Sequence, residues 1–311
     1  MIGKANGIAP LQHRRSFWNR LWQRNKTALL FLSPWYAGLL IFSIIPMVAS
    51  LYLSFTNYDL FRAPRWVGLT HYIDMFTADP RYMKALAVTF KYVFIGVPLQ
   101  LLFALGLALM LNRGLRGLPL IRALYYIPSL LGSSVAVALL WRQVFGSKGV
   151  FNEFLSWFGI QGKSWITHPD TAIYTLIVLL VWQFGSPMVI FLAGLKQIPA
   201  DLYEAASIDG AGAITRFFNI TLPLLTPIIF FNLVMQIISA FQAFTPAFIV
   251  GGEQGGTLDS TLFYTLYLYI KGFQQFQMGY AAAMAWVLLL IIALFTSLLF
   301  LSSRKWVYYE N

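Results

Sequence analysis

The stretch that decides the fold lies near the C-terminus and reads GYAAAMAWVLLLIIALFTSLLFL, from Gly279 to Leu301. It contains no Asp, Glu, Lys or Arg. About 20 consecutive apolar residues are enough for an α-helix to cross the roughly 30 Å hydrocarbon core of a bilayer. A helix also satisfies its own backbone hydrogen bonds in lipid, whereas an irregular segment leaves them unmade. The stretch therefore predicts a membrane-spanning helix.

Five further apolar stretches of comparable length precede it. They are Leu29–Phe55, Ala85–Leu111, Leu118–Trp141, Thr171–Leu195 and Leu222–Val250. Together the six predict an all-α fold, a polytopic membrane helix bundle of six transmembrane helices. The composition agrees, because 59% of the 311 residues are hydrophobic and only 11% are charged, against about 25% charged residues in a soluble domain.

The net charge of +11 indicates orientation in a membrane rather than nucleic-acid binding. Basic residues lie in the N-terminal tail, residues 1–27, and in loops beside the apolar spans, so we expect no nucleic-acid partner. A basic tail before the first span predicts a cytoplasmic N-terminus, and six spans return the C-terminus to the same side.

Within the tail, Ser16–Arg24 has aromatic residues on one helical face, which predicts an interfacial amphipathic helix; a disordered tail is the alternative. Residues 28–303 would form the transmembrane domain and residues 304–311 a second cytoplasmic tail.

Several kinds of chemistry are excluded or disfavoured by the residues present. The chain has no cysteine, which excludes disulfides, thiolate metal sites and cysteine nucleophiles. The histidines, His13, His71 and His168, have no metal-ligand spacing, so we expect no metal site. The spans contain no constellation of acidic residues or histidines, so we predict no catalytic residues. A secondary, ion-coupled transporter of a small polar solute stays open as an alternative, although the lack of acidic residues within the spans disfavours a proton relay.

The loop between the fourth and fifth spans is the most informative polar segment. It reads IPADLYEAASIDGAG from Ile198 to Gly212 and continues to ITLP at Ile220–Pro223. Pro199 suits the start of a helix, and Glu204 lies in its first turns, where the helix dipole favours acidic side chains. Gly210 suits its end, and a second short helix at Ala213–Ile220 is expected to lead into the fifth span. The segment therefore predicts a compact helical elbow on the cytoplasmic side, with a small-residue face that lets another surface approach closely.

The elbow, residues 198–223, resembles the EAA loop of the permeases of binding-protein-dependent ABC importers. That motif is E-A-A, three residues, G, nine residues and I-x-L-P. Its fixed positions are matched here by Glu204, Ala205, Ala206, Gly210, Ile220, Leu222 and Pro223. Further stretches resemble the branch that imports carbohydrates, such as the maltose, lactose and glycerol-phosphate permeases: Leu53–Thr56, Trp66–Leu69 and Gly279–Ala283. His71 and Glu253 depart from that branch, where Asn and Pro are usual.

The resemblance implies the permease subunit of an ATP-driven importer in the cytoplasmic membrane of a bacterium, which translocates a sugar or oligosaccharide. The implied partners are a second permease subunit, a cytoplasmic ABC ATPase dimer, an external solute-binding protein, a carbohydrate substrate and membrane lipid. The elbow would be the coupling helix that docks on the ATPase through Glu204, Ala205, Ala206, Asp209 and Gly210. The chain has no G-x-x-x-x-G-K-[ST] sequence, so we expect no ATP or other cofactor on this chain and no enzymatic activity of its own. ATP and Mg²⁺ would be used by the partner ATPase.

A path for sugars needs groups that bind hydroxyls, together with flat apolar faces. The candidates are Trp182 and Gln183 in the fourth span and Asn232, Gln236, Ser239 and Gln242 in the fifth. Polar residues at membrane depth usually face the interior of the bundle, although the same residue types also join helices to one another. Lys91, inside the second span, is interpreted as snorkelling to the outer surface, with a functional ion site as the alternative. We also predict a short outer helix within Gly149–Gly159 and a tight outer loop at Gly251–Thr257.

Overall fold

The computed structural model describes residue 27 and residues 30–112, 118–132 and 134–308. The predicted amphipathic helix at Ser16–Arg24 lies outside these residues. The chain divides into two compact units, Met1–Tyr52 and Leu53–Asn311.

In chain order the helices are α1 (Leu30–Ser54), α2 (Thr70–Thr77), α3 (Pro80–Leu111), α4 (Leu118–Leu131), α5 (Val135–Val144), α6 (Val150–Ser156), α7 (Pro169–Trp182), α8 (Gly185–Leu195), α9 (Ala200–Ile208), α10 (Ala213–Arg216), α11 (Leu222–Phe241), α12 (Thr245–Ile249), α13 (Tyr264–Tyr269) and α14 (Met278–Trp306). The strands of the described residues are β1 (Thr56–Asn57) and β2 (Arg65–Trp66), which form an antiparallel pair.

By length and composition, four helical segments are long and apolar enough to cross a membrane. They are Leu30–Ser54, Pro80–Leu111, Ala213–Ile249 and Met278–Trp306. The pairs α4 with α5 and α7 with α8 are each bent by more than 40° at a short break. Counting each bent pair as one span gives six, which confirms the predicted fold class.

The structure corrects three details of the predicted spans. The third and fourth spans are broken rather than continuous, with a 41° bend between α7 and α8. The helix expected at Ala213–Ile220 ends at Arg216 and continues as a π-helix, Phe217–Thr221, directly into α11. The last span continues beyond Leu301 to Trp306. A hydropathy pattern reports apolar length, whereas bends and helix type depend on local hydrogen bonds and packing.

Helix α3 is the centre of the second unit and packs against α7, α8 and α11. It begins at Asp79, whose carboxylate accepts a hydrogen bond from the backbone N–H of Tyr82 at 3.2 Å, with Pro80 in the first turn. This is an N-terminal cap that satisfies a free backbone donor. At Gly96 a Cβ atom would lie 2.7 Å from Leu180 Cδ2, so the missing side chain is what allows α3 and α7 to approach closely.

Two shorter segments agree with expectation. The helix predicted within Gly149–Gly159 is α6. The loop at Gly251–Thr257 contains turns at Gly252, Gly255 and Gly256, where φ is +93°, +91° and +73°. Glycine adopts these left-handed values without steric cost, so the loop reverses tightly between α12 and α13.

Candidate functional site

The elbow forms a separate helix, α9, between α8 and α10. Pro199 is its N-terminal cap residue, and the helix ends at Ile208. Gly210 has φ of +75°, and the next N–H, that of Ala211, donates to the carbonyl of Ala206 at 2.9 Å. This is the left-handed glycine termination that closes many helices, and a side chain at Gly210 would cost about 1–2 kcal/mol.

The face of the elbow is accessible. Glu204, Ala205, Asp209 and Gly210 are exposed, and Ala206 is half-buried. Large apolar side chains accompany them: Ile208 is 88% exposed and Ile214 76% exposed, with Phe218 and Leu202 also exposed. A cluster of exposed apolar residues beside charged ones is typical of a protein-interaction surface.

The base of the elbow is tied to the membrane helices by side chains. The hydroxyls of Tyr203 and Thr221 are hydrogen-bonded at 2.8 Å. The backbone N–H of Tyr308, just beyond α14, donates to Thr226 Oγ1 at 2.9 Å. A cavity of about 290 Å³ lies between these elements and is lined by Gly194 and Tyr308, among others. These hydrogen bonds join α9 to the residue before α11, and α11 to the segment that follows α14.

The predicted path residues separate into two groups. Gln183, Ser239 and Gln242 line one cavity of about 310 Å³, together with Tyr92 and Thr245. This cavity lies where α7 ends and α11 gives way to α12, and its polar groups are uncharged amides and hydroxyls that can bind sugar hydroxyls.

The remaining candidates do not line that cavity. Trp182 packs against Trp141, with 5.9 Å between ring centroids. Gln236 is half-buried on α11. Asn232 is 0% exposed, and neither its amide nitrogen nor its amide oxygen has a hydrogen-bond partner among the described residues. The path-lining role of these residues stays a prediction.

Sequence reasoning missed the residues that hold the break between α7 and α8. The carbonyl of Gln183 accepts hydrogen bonds from Gln100 Nε2 at 3.1 Å and from Ser129 Oγ at 2.9 Å. The N–H of Ser186 donates to the same Ser129 Oγ at 2.9 Å. Side chains that bind freed backbone groups are the usual means of stabilising a broken membrane helix. Gln100 carried a detectable signal, since it is an amide inside an otherwise apolar stretch.

The end of the bundle opposite the elbow carries a network of charges. Asp79 accepts hydrogen bonds from the hydroxyls of Tyr267 at 2.6 Å and Tyr280 at 2.8 Å, and Lys271 Nζ lies 3.3 Å from the same carboxylate. Burial tends to raise the pKa of Asp79, but the two tyrosine hydroxyls and the lysine charge outweigh it, so that the pKa is lowered. Burial, followed by the neighbouring carboxylate, raises the pKa of Tyr267. Asp79 is therefore a stable anion that joins α3, α13 and α14.

A second ion pair supports this end of the molecule. Arg81 donates to both oxygens of Asp259, from Nη2 at 2.6 Å and from Nε at 3.0 Å. Asp259 has φ of +56°, so the two-point contact holds an unfavourable backbone in place. His71 and His168 take part in separate local contacts, His71 with the carbonyl of Thr56 and His168 with the start of α7. Within the described part of the chain, no group of three or more His, Cys, Asp or Glu side chains is arranged to hold a metal ion.

A bundle of broken and continuous membrane helices, with an exposed elbow between two spans and a polar cavity inside, defines the membrane subunit of a transporter. The chain belongs to the family of binding-protein-dependent transport system inner membrane components, whose model matches residues 75–308. It is therefore a multi-pass membrane protein and a transporter permease component rather than a catalytic enzyme.

Similar proteins cover nearly the whole chain. The chain is 54% identical over 307 residues to the probable ABC transporter permease protein YesP of Bacillus subtilis (strain 168), with 98% of each chain covered. It is 32% identical to the lactose transport system permease protein LacF of Rhizobium radiobacter, over 89% of this chain and 93% of the relative. Against the arabinooligosaccharides transport system permease protein AraP of Bacillus subtilis (strain 168), the identity is 31% over 91% and 90% of the two chains.

The fold is also found among solved structures. A chain of a bacterial ABC transporter involved in the import of the acidic polysaccharide alginate matches 92% of this chain and 99% of its own length, with a TM-score of 0.77. The sequence identity is 23%, so this likeness concerns the fold.

Proposed function

We propose that this chain is the permease subunit of an ATP-driven importer that moves a sugar or oligosaccharide across the membrane. In this proposal an external solute-binding protein delivers the substrate, a second permease subunit completes the path, and a cytoplasmic ABC ATPase dimer uses ATP and Mg²⁺. The names of the relatives support the substrate class, since LacF is named for lactose and AraP for arabinooligosaccharides. A structure in which an alginate transporter is in complex with a pentasaccharide-bound periplasmic protein supports the external partner.

The observation that carries the proposal is the exposed elbow. Helix α9 presents Glu204, Ala205 and Gly210 to the surface beside the exposed Ile208. Gly210 ends α9 in a left-handed conformation, whereas the exposed side chains of Glu204 and Ala205 are available to a partner. A partner that fills this surface would bury Ile208, meet the Glu204 carboxylate with a cation and require a small residue at Ala205.

The experiment uses Glu204→Lys, Ala205→Trp and Gly210→Val in the full complex. Each variant should insert in the membrane normally but lose association with the ATPase, because it changes the charge, the fit or the backbone of α9. Co-purification and substrate-stimulated ATP hydrolysis in reconstituted vesicles measure the loss. Glu153→Lys is the matched control, since Glu153 is an exposed acid on the short helix α6.

Two outcomes would contradict the proposal. If all three elbow variants copurify with the ATPase and couple hydrolysis to uptake as well as the Glu153→Lys control, α9 is not the coupling helix. If uptake of the substrate continues in vesicles that contain no ATPase, the chain acts instead as a secondary transporter.

A further inference from the structure

A second cleft lies near the start of α3 and α7, away from the elbow. Its volume is about 530 Å³, and its lining includes Lys84, Lys91 and Tyr174. This volume falls within the range of about 300–1,000 Å³ that is typical of sites for small molecules. The cleft takes no part in the contacts that hold the elbow or the Asp79 network.

Its two lysines are arranged on one exposed face. Lys84 and Lys91 are seven residues apart on α3, which places them two helical turns apart on the same side. The ammonium nitrogen of Lys91 lies 4.5 Å from the centroid of the Tyr174 ring. Among the residues that the structure describes, neither lysine has a carboxylate within ion-pair distance. Lys271 differs, because its charge is matched by Asp79 at 3.3 Å.

The cleft also contains one carboxylate, that of Asp170, which does not pair with either lysine. Asp170 belongs to its lining, but its side chain is 86% exposed and forms no ion pair with either lysine among the described residues. The lining therefore carries two ammonium groups, one exposed carboxylate and one aromatic ring, so its formal charge is positive.

The cleft precedes the polar cavity along the same two helices. On α3, Lys91 is followed by Tyr92, which lines the cavity. On α7, Tyr174 lies nine residues before Gln183, or about 13 Å at 1.5 Å per residue. The polar cavity itself has no charged residue in its lining. A solute that moves along α3 and α7 would thus meet the positive charges before it meets the amides.

We propose that this cleft binds the carboxylate of an acidic oligosaccharide, so that the substrate class of the importer is a uronate-containing saccharide. The inference rests on the proposed function and narrows its substrate. Lysine ammonium groups form charge-assisted hydrogen bonds with carboxylates, and their flexible stems tolerate several positions of the anion. The cation–π contact with the Tyr174 ring holds the Lys91 ammonium group in the cleft.

The test uses the complete transporter, reconstituted with its partner permease, ATPase and binding protein in vesicles of neutral lipid and, in parallel, in vesicles that also contain anionic lipid. The probes are the disaccharides of glucuronate, galacturonate and mannuronate, each paired with the neutral disaccharide of the same sugar series and linkage. Stimulation of ATP hydrolysis is measured against saccharide concentration for the wild type, Lys84→Gln and Lys91→Gln. Lys163→Gln is the matched control, because Lys163 also lies over an aromatic ring, that of Trp165, at 5.6 Å.

The expected result has three parts. At least one uronate disaccharide stimulates hydrolysis by the wild type more strongly than its neutral counterpart. Lys84→Gln and Lys91→Gln each raise the half-saturating concentration of that uronate about ten-fold, whereas Lys163→Gln changes it less than two-fold. The ten-fold difference between the wild type and the cleft variants becomes smaller at high ionic strength, because screening weakens the attraction between the lysines and the carboxylate.

The other outcomes separate this inference from the proposed function. Stimulation by neutral disaccharides alone, or uronate responses that neither cleft variant changes, would overturn the inference and leave the proposed function standing. If the variants reduce hydrolysis equally for every saccharide and only in vesicles containing anionic lipid, the cleft holds a lipid headgroup and the inference is wrong. No stimulation by any saccharide would overturn the proposed carbohydrate function and this inference with it.

Discussion

Replacement of Asp79 by alanine tests whether the charged network at the start of α3 stabilises the bundle. The Asp79 side chain is 14% exposed and that of Lys271 is 16% exposed. The substitution removes the acceptor for the hydroxyls of Tyr267 and Tyr280. It also leaves the largely buried ammonium group of Lys271 without its carboxylate partner. Asp79→Asn is the milder change, because it removes the charge but keeps a hydrogen-bonding side chain.

The magnitude follows from these contacts. Breaking a buried ion pair by removing one partner costs about 3–5 kcal/mol, and hydrogen bonds to a charged group contribute about 1.5–3 kcal/mol each. The contributions overlap, and residual solvent screens the pair, so we expect Asp79→Ala to lower the free energy of unfolding by about 3 kcal/mol. At roughly 2–4 °C per kcal/mol for a large domain, the Tm of the purified protein should fall by about 6–12 °C.

The matched control is Asp74→Ala. Asp74 lines the same cavity as Asp79 but forms no ion pair within the described residues. Thermal denaturation in one detergent compares the two variants with the wild type. If Asp79→Ala and Asp74→Ala have the same Tm as the wild type, the network does not stabilise the protein and the reasoning fails.

The pH dependence provides an independent measurement. Because the pKa of Asp79 is lowered in the folded protein, its contribution to stability is fully present above the unfolded value, about 3.9. The contribution is lost as the pH falls through the lower folded pKa. The difference in Tm between the wild type and Asp79→Asn should therefore be constant from pH 5 to pH 8 and shrink below about pH 4. A difference that disappears between pH 5 and pH 8 would contradict this assignment.

Two further substitutions test the interior of the bundle. Asn232→Leu should raise the thermal stability of the isolated subunit, by about 1 kcal/mol, because both amide atoms of Asn232 are buried without partners, and an apolar side chain of similar size relieves that cost. If the Asn232 amide binds sugar hydroxyls at another stage of the transport cycle, the same variant should also weaken substrate transport. Unchanged thermal stability would refute the first expectation, and unchanged uptake would refute the second. Gly194→Leu should destabilise the protein by about 1–3 kcal/mol through overpacking, since a Cβ at Gly194 would lie 2.8 Å from Ile228 Cγ1. Gly106→Leu is its control, because a Cβ there would meet nothing within 4 Å, and equal thermal shifts in the two variants would show that the close approach of α8 and α11 is unimportant.

The sequence by itself determined the spans and the elbow, because both are local features. A membrane helix satisfies its backbone within one segment, so an uninterrupted apolar length is a sufficient signal. Helix α9 is equally local: its start at Pro199, the acids of its first turns and the left-handed Gly210 act within a few residues of one another. The match of the elbow to the family motif could accordingly be recognised before any contact was known.

Only the tertiary structure decided which side chains meet. Helices in lipid associate through packing and polar contacts rather than through a simple apolar face, so hydropathy does not reveal which side of a span is turned inward. Asn232 and Gln242 therefore looked equivalent in the sequence, yet Asn232 is buried between helices and Gln242 lines a cavity. The pairing of Asp79 with Lys271 and the position of Lys91 beside Tyr174 join residues far apart in the chain, and their distances depend on how α3, α7 and α14 pack against one another.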